Sequence, residues 1–124
     1  GNVDGEETFP DDLNGDVLRR LQRSGDDFSI PRDVDFSIVF PDQDRAEAFA
    51  GMARAAGYEA TVKKSGVRPE RPWDVTIVKY MFLTHAGITG FEMELEAAIS
   101  PLDGRNDGWG CMAQNSAAAA NREN

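Results

Sequence analysis

Two stretches of the chain alternate hydrophobic and polar residues with the two-residue period of a strand that buries one face. They cover residues 34–40 and 58–64. Because every second side chain is apolar, one face of each strand is predicted to lie against a core. The inward positions are Val34, Phe36, Ile38 and Phe40 in the first stretch and Tyr58, Ala60 and Val62 in the second.

A longer strand is predicted over residues 73–82, which are rich in β-branched and aromatic side chains. One residue breaks its pattern, since Lys79 falls on the same face as Val75 and Ile77. Either a bulge shifts the register after Ile77, or Lys79 lies near the end of the sheet and extends its long side chain to water. The pattern leaves both open. A last strand is predicted over residues 107–113.

One helix is predicted before the first strand and a second helix after it. The first is predicted to be capped by Asn14 or Asp16 and to be closed by Gly25. The second follows Asp42 and stops at Gly57. Their apolar stripes are Val17, Leu18 and Leu21 in the first, and Ala46, Phe49, Ala50, Ala53 and Ala56 in the second.

A third helix is predicted after the longest strand. Thr84 or Thr89 can cap it, and Glu92 three residues after Thr89 matches a capping box. Its apolar stripe comprises Ile88, Phe91, Leu95, Ala98, Ile99 and Leu102. The glutamates lie mostly on the other sides of this helix.

The order of elements after the first helix is β-α-β-β-α-β. Two right-handed split β-α-β units of this kind form an antiparallel four-stranded sheet with both helices on one face. We therefore predict an α+β fold, a ferredoxin-like α/β sandwich with an extra N-terminal helix. The first and third strands would be central and the second and fourth would be edges. A free edge also allows a homodimer to form by sheet extension.

The 124 residues and 13.6 kDa indicate one domain. We expect a flexible lead over residues 1–8, a single domain over 9–114 and a disordered tail over 115–124. The formal net charge of −9 repels phosphate backbones and anionic lipids, so neither nucleic acid nor a membrane is expected as a direct partner. A basic protein surface suits this charge better. The single cysteine and the absence of a leader or apolar span favour a cytoplasmic protein.

No group of residues matches a known catalytic or cofactor motif, so we expect no catalytic residue, cofactor or metal. Glu92 and Glu96 are one helical turn apart and could share a divalent ion, but a solvated helix face is the favoured explanation. His85 could act as a base or could simply cap or cover the helix start beside Thr84. Cys111 is expected to be a small buried hydrophobe.

Two loops remain as candidate binding elements. In the predicted hairpin loop, Arg68 and Arg71 flank prolines and either bind an anion or an acidic segment, or form an ordinary exposed tip. Near the last strand, Trp109 stands between two glycines and is either a core residue or a binding anchor. The residues predicted to contact a partner are Asp107, Gly108, Trp109, Gly110, Glu92 and Glu96.

The run Asn106-Asp107-Gly108-Trp109-Gly110 resembles the final strand of the RraB family, whose members regulate ribonuclease E. Further matching segments are Phe9-Pro10-Asp11-Asp12, Gly15-Asp16-Val17-Leu18, Val34-Asp35-Phe36 and residues 85–95, in the same order and spacing. The resemblance covers residues 9–113 and implies a ferredoxin-like sandwich, so that 9–114 would be one RraB-like domain. It also implies a non-enzymatic inhibitor that contacts the scaffold region of ribonuclease E.

The leading hypothesis is therefore a non-enzymatic, cytoplasmic, protein-binding regulator. Two alternatives stay open. One is a small-molecule-binding or enzymatic domain with its pocket around Thr84 and His85. The other is an immunity or structural module for an unrelated protein.

Overall fold

Three helices and four strands follow the predicted order in the computed structural model, which describes residues 9–112. The predicted lead over 1–8 and tail over 115–124 lie outside the described residues. The elements are α1 (Leu13–Arg23), β1 (Arg32–Phe40), α2 (Gln43–Ala55), β2 (Glu59–Lys64), β3 (Trp73–Met81), α3 (His85–Ile99) and β4 (Arg105–Cys111). The sheet order is β2-β3-β1-β4, and all neighbouring strands are antiparallel. This confirms the predicted α+β, ferredoxin-like fold, with β1 and β3 central and β2 and β4 at the edges.

One face of β1 forms the centre of the core. Its four alternating apolar side chains are all buried, as predicted. Phe36 meets Phe91 of α3 edge-on with ring centroids 4.8 Å apart, and Phe40 lies 5.5 Å from Phe49 of α2. Since Phe36 and Phe40 point to the same side of the strand, α2 and α3 cover the same face of the sheet. None of the helices within residues 9–112 is long and apolar enough to span a bilayer.

The position of Lys79 is now resolved. The register between β1 and β3 runs unbroken from Arg32 opposite Met81 to Phe40 opposite Trp73, so β3 contains no bulge. Lys79 stays on the helix-covered face, with its Nζ 5.0 Å from the centroid of the Phe91 ring and 5.5 Å from that of Tyr58. The extended lysine thus lies over two aromatic rings, where a cation is favourable.

The irregularity of the sheet lies in β4 instead. Phe36 pairs with Trp109, but Ile38 pairs with Asn106, so the register shifts between these two pairs. Gly108 lies in the shifted segment with φ +103°, a backbone conformation that favours glycine. The bulge changes which side chains of this strand reach each face.

Asp12 caps α1, so the predicted cap at Asn14 or Asp16 is wrong. The Asp12 carboxylate accepts a hydrogen bond of 2.8 Å from the backbone N–H of Gly15, and its own backbone is extended. The helix begins earlier than its apolar stripe indicates, and this places Asn14 in the first turn, where its side chain is free to reach other elements.

The caps of the other two helices agree better with the prediction from the sequence. Asp42 caps α2, and Thr84 caps α3 by accepting from the backbone N–H of Gly87 at 2.9 Å. Thr89 is therefore inside α3, and its predicted capping box with Glu92 does not form. Ala56 is exposed, contrary to its place in the predicted stripe, because α2 ends at Ala55.

A buried ion pair, which the sequence analysis missed, fixes the chain between α1 and β1. Both Nη atoms of Arg32 donate to the Asp26 carboxylate, at 2.7 and 2.8 Å, and they also donate to the carbonyl oxygens of Ile30 and Met112. Burial acts to lower the pKa of Arg32, but the Asp26 carboxylate outweighs it and raises that pKa. The pair therefore ties the entry of β1 to the end of β4.

Two glycine substitutions test this packing. A Cβ at Gly104 would lie 2.5 Å from Phe40 Cε1 and 3.0 Å from Ile99 Cβ, whereas a Cβ at Gly51 would meet nothing within 4 Å. Gly104→Ala should lower the free energy of unfolding by about 1–3 kcal/mol through overpacking. Gly51→Ala, in the exposed part of α2, should raise it by about 0.5–1 kcal/mol. Urea denaturation measures both, and changes of equal sign would contradict the packing described here.

Candidate functional site

A cleft of about 650 Å³ opens where α1, α3 and β4 meet, and we call it the α1–α3–β4 cleft. Its walls come from three parts of the chain that are distant in sequence. The residues that line it are Asp12, Leu13, Asn14, Asp16, Val17, Arg20, Thr89, Glu92, Asn106, Gly108 and Trp109. Three of the six residues predicted to contact a partner, Glu92, Gly108 and Trp109, therefore lie together here.

The Asn14 amide joins the three walls of the cleft. Its Oδ1 accepts from Trp109 Nε1 at 2.9 Å, and its Nδ2 donates to Glu92 Oε1 at 2.7 Å and to Thr89 Oγ1 at 3.1 Å. The indole N–H can only donate, and an ionised carboxylate can only accept. These two partners therefore determine the orientation of the amide, and through it the spacing of α1, α3 and β4.

The residues before α1 hold its first turn in place. Gly15 is buried, and a side chain there would overlap the carbonyl oxygen of Pro10. Arg19 donates to the carbonyl oxygens of Phe9 and Pro10 at 2.9 and 3.1 Å. The chain from Phe9 to Asp12 thus folds back along α1, and only a residue without a side chain fits at position 15.

A second contact joins the starts of α1 and α3. His85 Nε2 lies 2.9 Å from Asp12 Oδ2 and 3.5 Å from Thr89 Oγ1, and the first contact is an ion pair when the imidazole is protonated. The hydrogen bond from the Gly15 backbone lowers the pKa of Asp12, and the hydrogen bond from His85 lowers it further. Thr84 and His85 thus have structural partners in the helix cap and the α1–α3 contact.

The remaining predicted partner residues lie elsewhere. Asp107 faces away from the cleft and accepts from Arg68 of the hairpin loop at 2.8 and 3.0 Å. Gly110 pairs with Asp35 in the sheet. Glu96 is exposed and accepts from the Ser100 hydroxyl at 3.1 Å. Their predicted role in partner binding stays a prediction, but they do not share the cleft.

Trp109 lies both against the core and in the wall of the cleft, and its role as a binding anchor stays a prediction. It is half-buried, packs against the core and pairs across the sheet with Phe36, while it also lines the cleft. Its N–H is satisfied by Asn14, so the indole is held in one orientation. A large aromatic surface held in this way is suited to act as a binding anchor.

The residues considered for metal binding or thiol chemistry have structural surroundings instead. Glu92 accepts from Asn14, and within residues 9–112 no three His, Cys, Asp or Glu side chains lie close enough together to hold a metal ion. Cys111 is half-buried beside the core. Burial raises the pKa of its thiol although Arg32 acts to lower it, so the group favours the thiol over the reactive thiolate.

The sequence analysis missed the role of Asn14, although the sequence contains a signal for it. Asn14, Val17, Leu18 and Leu21 follow the helical spacing of one stripe, so a polar residue occupies a position where an apolar one is expected. A polar side chain on a buried face needs hydrogen-bond partners. The pattern indicates such a role but does not identify Trp109 and Glu92 as the partners.

Comparison with protein families gives one match. The family model for RraB, described as regulator of ribonuclease activity B, matches residues 11–111, which include every residue that lines the cleft. No curated protein matches the chain closely enough to be counted as a relative.

Removal of the Asn14 amide should loosen the cleft. Asn14→Ala leaves the Trp109 N–H and the Glu92 carboxylate without their partner, and we expect a loss of about 1–3 kcal/mol in the free energy of unfolding. Alanine is the better helix former, so helix propensity cannot cause a loss. Gln43→Ala, an exposed amide at the start of α2, is the control and should change little. In a Trp73→Phe background, the Trp109 fluorescence should shift to the red only in Asn14→Ala; an unchanged spectrum and stability would contradict the role of Asn14.

The contacts of Asp12 should make stability depend on pH. Because the folded-state pKa of Asp12 lies below its unfolded value, the carboxylate stabilises the fold above the unfolded pKa and loses this effect as pH falls through the folded pKa. The stability difference between the natural protein and Asp12→Asn should therefore shrink between about pH 5 and pH 3. Thermal unfolding across this range measures it. Asp44→Asn, an exposed carboxylate in α2, is the control, and a constant difference for Asp12→Asn would refute the prediction.

Proposed function

We propose, since the chain belongs to the RraB family, that it regulates a ribonuclease by binding protein and carries out no reaction of its own. The family consists of regulators of ribonuclease activity, which supports a regulatory and non-catalytic role. We infer that the α1–α3–β4 cleft is the surface that binds the partner.

The composition of the cleft carries this proposal. Leu13 is 82% exposed at its rim, although it is apolar, and Val17 and Trp109 supply further apolar surface. Exposed apolar side chains beside a fixed aromatic ring are typical of the central part of a protein interface. The cleft is therefore suited to receive an apolar side chain from a partner.

The charges around this apolar surface favour a basic partner. The carboxylates of Asp12, Asp16 and Glu92 line the cleft, and Arg20 is the cation that lines it with them. The whole chain carries a net charge of −9, so a basic segment is attracted and an RNA backbone is repelled. We therefore propose a basic protein segment with an apolar anchor as the ligand.

Within this class of partner, we propose the scaffold region of ribonuclease E, in the cytoplasm. The support is the resemblance of the chain to the regulators of that enzyme, together with the match of the family model. Binding to a non-catalytic region requires no catalytic group. This agrees with the contact between His85 and Asp12 and with the raised pKa of the Cys111 thiol.

A pair of exposed substitutions tests the proposal. Leu13→Lys removes apolar surface from the cleft and adds a charge that repels a basic segment. Met93→Lys is the matched control, since Met93 is 69% exposed on α3 and does not line the cleft. Calorimetric titration at low salt should show binding of the ribonuclease E scaffold, weakened about tenfold or more by Leu13→Lys and unchanged by Met93→Lys.

Each negative result of this titration excludes a different part of the proposal. No binding by the natural protein at low salt would exclude the ribonuclease E scaffold as the target. Binding that both lysine variants weaken equally would exclude the cleft as the contact surface. Higher ionic strength should weaken the complex if the acidic rim contributes.

A further inference from the structure

A second cavity lies on the opposite face of the sheet, between the loop over residues 65–72 and the start of β4. Its volume is about 410 Å³, and we call it the arginine cavity because Arg68, Arg71 and Arg105 line it. Val39 forms part of its wall, and this side chain points away from the helix-covered face of β1. The loop folds over that end of the sheet, so Val39 is buried there although no helix covers it.

Two ion pairs hold the loop in this position. Arg68 donates to Asp107 Oδ1 through Nε and Nη2, at 3.0 and 2.8 Å. Arg71 donates to the carbonyl oxygen of Asp103 at 2.9 Å and to its Oδ1 at 2.7 Å. The two arginines that the sequence analysis considered as an anion site or an exposed tip are thus anchored to the chain around the start of β4.

These contacts leave N–H donors of both arginines available to a ligand. A guanidinium has five N–H groups, so Arg68 and Arg71, with two hydrogen bonds each, keep further donors for a ligand. The Arg71 side chain is only 13% exposed, so its position is fixed by the fold. The ion pairs of the loop therefore place the buried Arg71 guanidinium and the more exposed Arg68 guanidinium at the cavity, and both keep N–H groups without a partner.

Arg105 lines the cavity without an internal partner. Its backbone pairs with Val39 in the sheet, while its exposed side chain makes no hydrogen bond or ion pair with the rest of residues 9–112. The other two guanidinium groups of the cavity are paired, Arg68 with Asp107 and Arg71 with Asp103. Arg105 is therefore the guanidinium of the three whose donors all remain available to a ligand.

We propose that the arginine cavity binds a small ligand through its oxyanion group, a phosphate or a carboxylate. Arg105 provides a guanidinium that makes no ion pair within residues 9–112, and Arg68 and Arg71 provide further donors. Guanidinium groups match both oxyanions through paired N–H bonds, and the volume lies in the range of small-molecule sites. This site opens on the other face of the sheet from the α1–α3–β4 cleft, and Asn106 of β4 is the one residue that lines both.

Titration of the isolated full chain tests the site. Inorganic phosphate and citrate are added at low ionic strength, with sodium chloride at matched ionic strength as the reference, and backbone amide shifts are followed by NMR. Saturable shifts at the amides of Val67, Arg68, Glu70, Arg71 and Arg105 are expected for at least one of the two anions. Binding of phosphate alone assigns a phosphate ligand, and binding of citrate alone assigns a carboxylate ligand. Shifts that do not exceed those caused by chloride would overturn the proposal.

A pair of arginine variants assigns the effect to the cavity. Arg105→Ala should weaken binding about tenfold, the effect of one lost charge-assisted hydrogen bond. Arg23→Ala, which removes an exposed arginine from α1, should leave the affinity unchanged. Equal affinities of the two variants would overturn the proposal, and thermal unfolding verifies that both are folded.

Discussion

One side-chain amide holds together the three elements that form the candidate site. The first helix stands outside the β-α-β-β-α-β order, so its position depends on lateral contacts rather than on the sheet. Leu18 contributes apolar contacts to that docking. Asn14 contributes polar contacts to Trp109, Thr89 and Glu92, and the contact between Asp12 and His85 adds to them. The amide is partly buried, and its partners are held by α3 and β4. Its hydrogen bonds are therefore satisfied by one arrangement of the three cleft walls. The shape of the cleft, and with it the proposed function, follows from this arrangement.

The short segment around Gly108 connects the two faces of the molecule. The bulge in β4 turns Trp109 toward the helices while Asp107 faces the hairpin loop and Arg68. The sequence analysis grouped these neighbours as one binding element, but the fold separates them into two. One contributes an aromatic ring to the α1–α3–β4 cleft, and the other positions Arg68 at the arginine cavity. Both positions suit the binding roles proposed above.

Much of the fold could be predicted from the sequence because burial imposes a period on it. The buried face of β1 from Val34 to Phe40 is predictable for this reason. The cap at Asp42 is predictable for a different one, since an Asp side chain before a helix can accept a backbone N–H of its first turn. Contacts between residues that are distant in sequence leave no such periodic pattern. The bond from Arg68 to Asp107 joins residues 39 positions apart, and Lys79 could be placed only once the rings of Tyr58 and Phe91 were seen beneath it. The site was predicted in part: Trp109 was recognised by its unusual setting, whereas Asn14 was hidden by its resemblance to a helix cap.

Hydrogen–deuterium exchange of the full chain, alone and with the scaffold region of ribonuclease E, shows whether this protein binds its partner through the α1–α3–β4 cleft, because the method locates the contact without any substitution. We expect slower exchange in residues 13–20 and 106–110 when the partner is bound. Slower exchange confined to α2 and β2, with the cleft unchanged, would contradict this expectation.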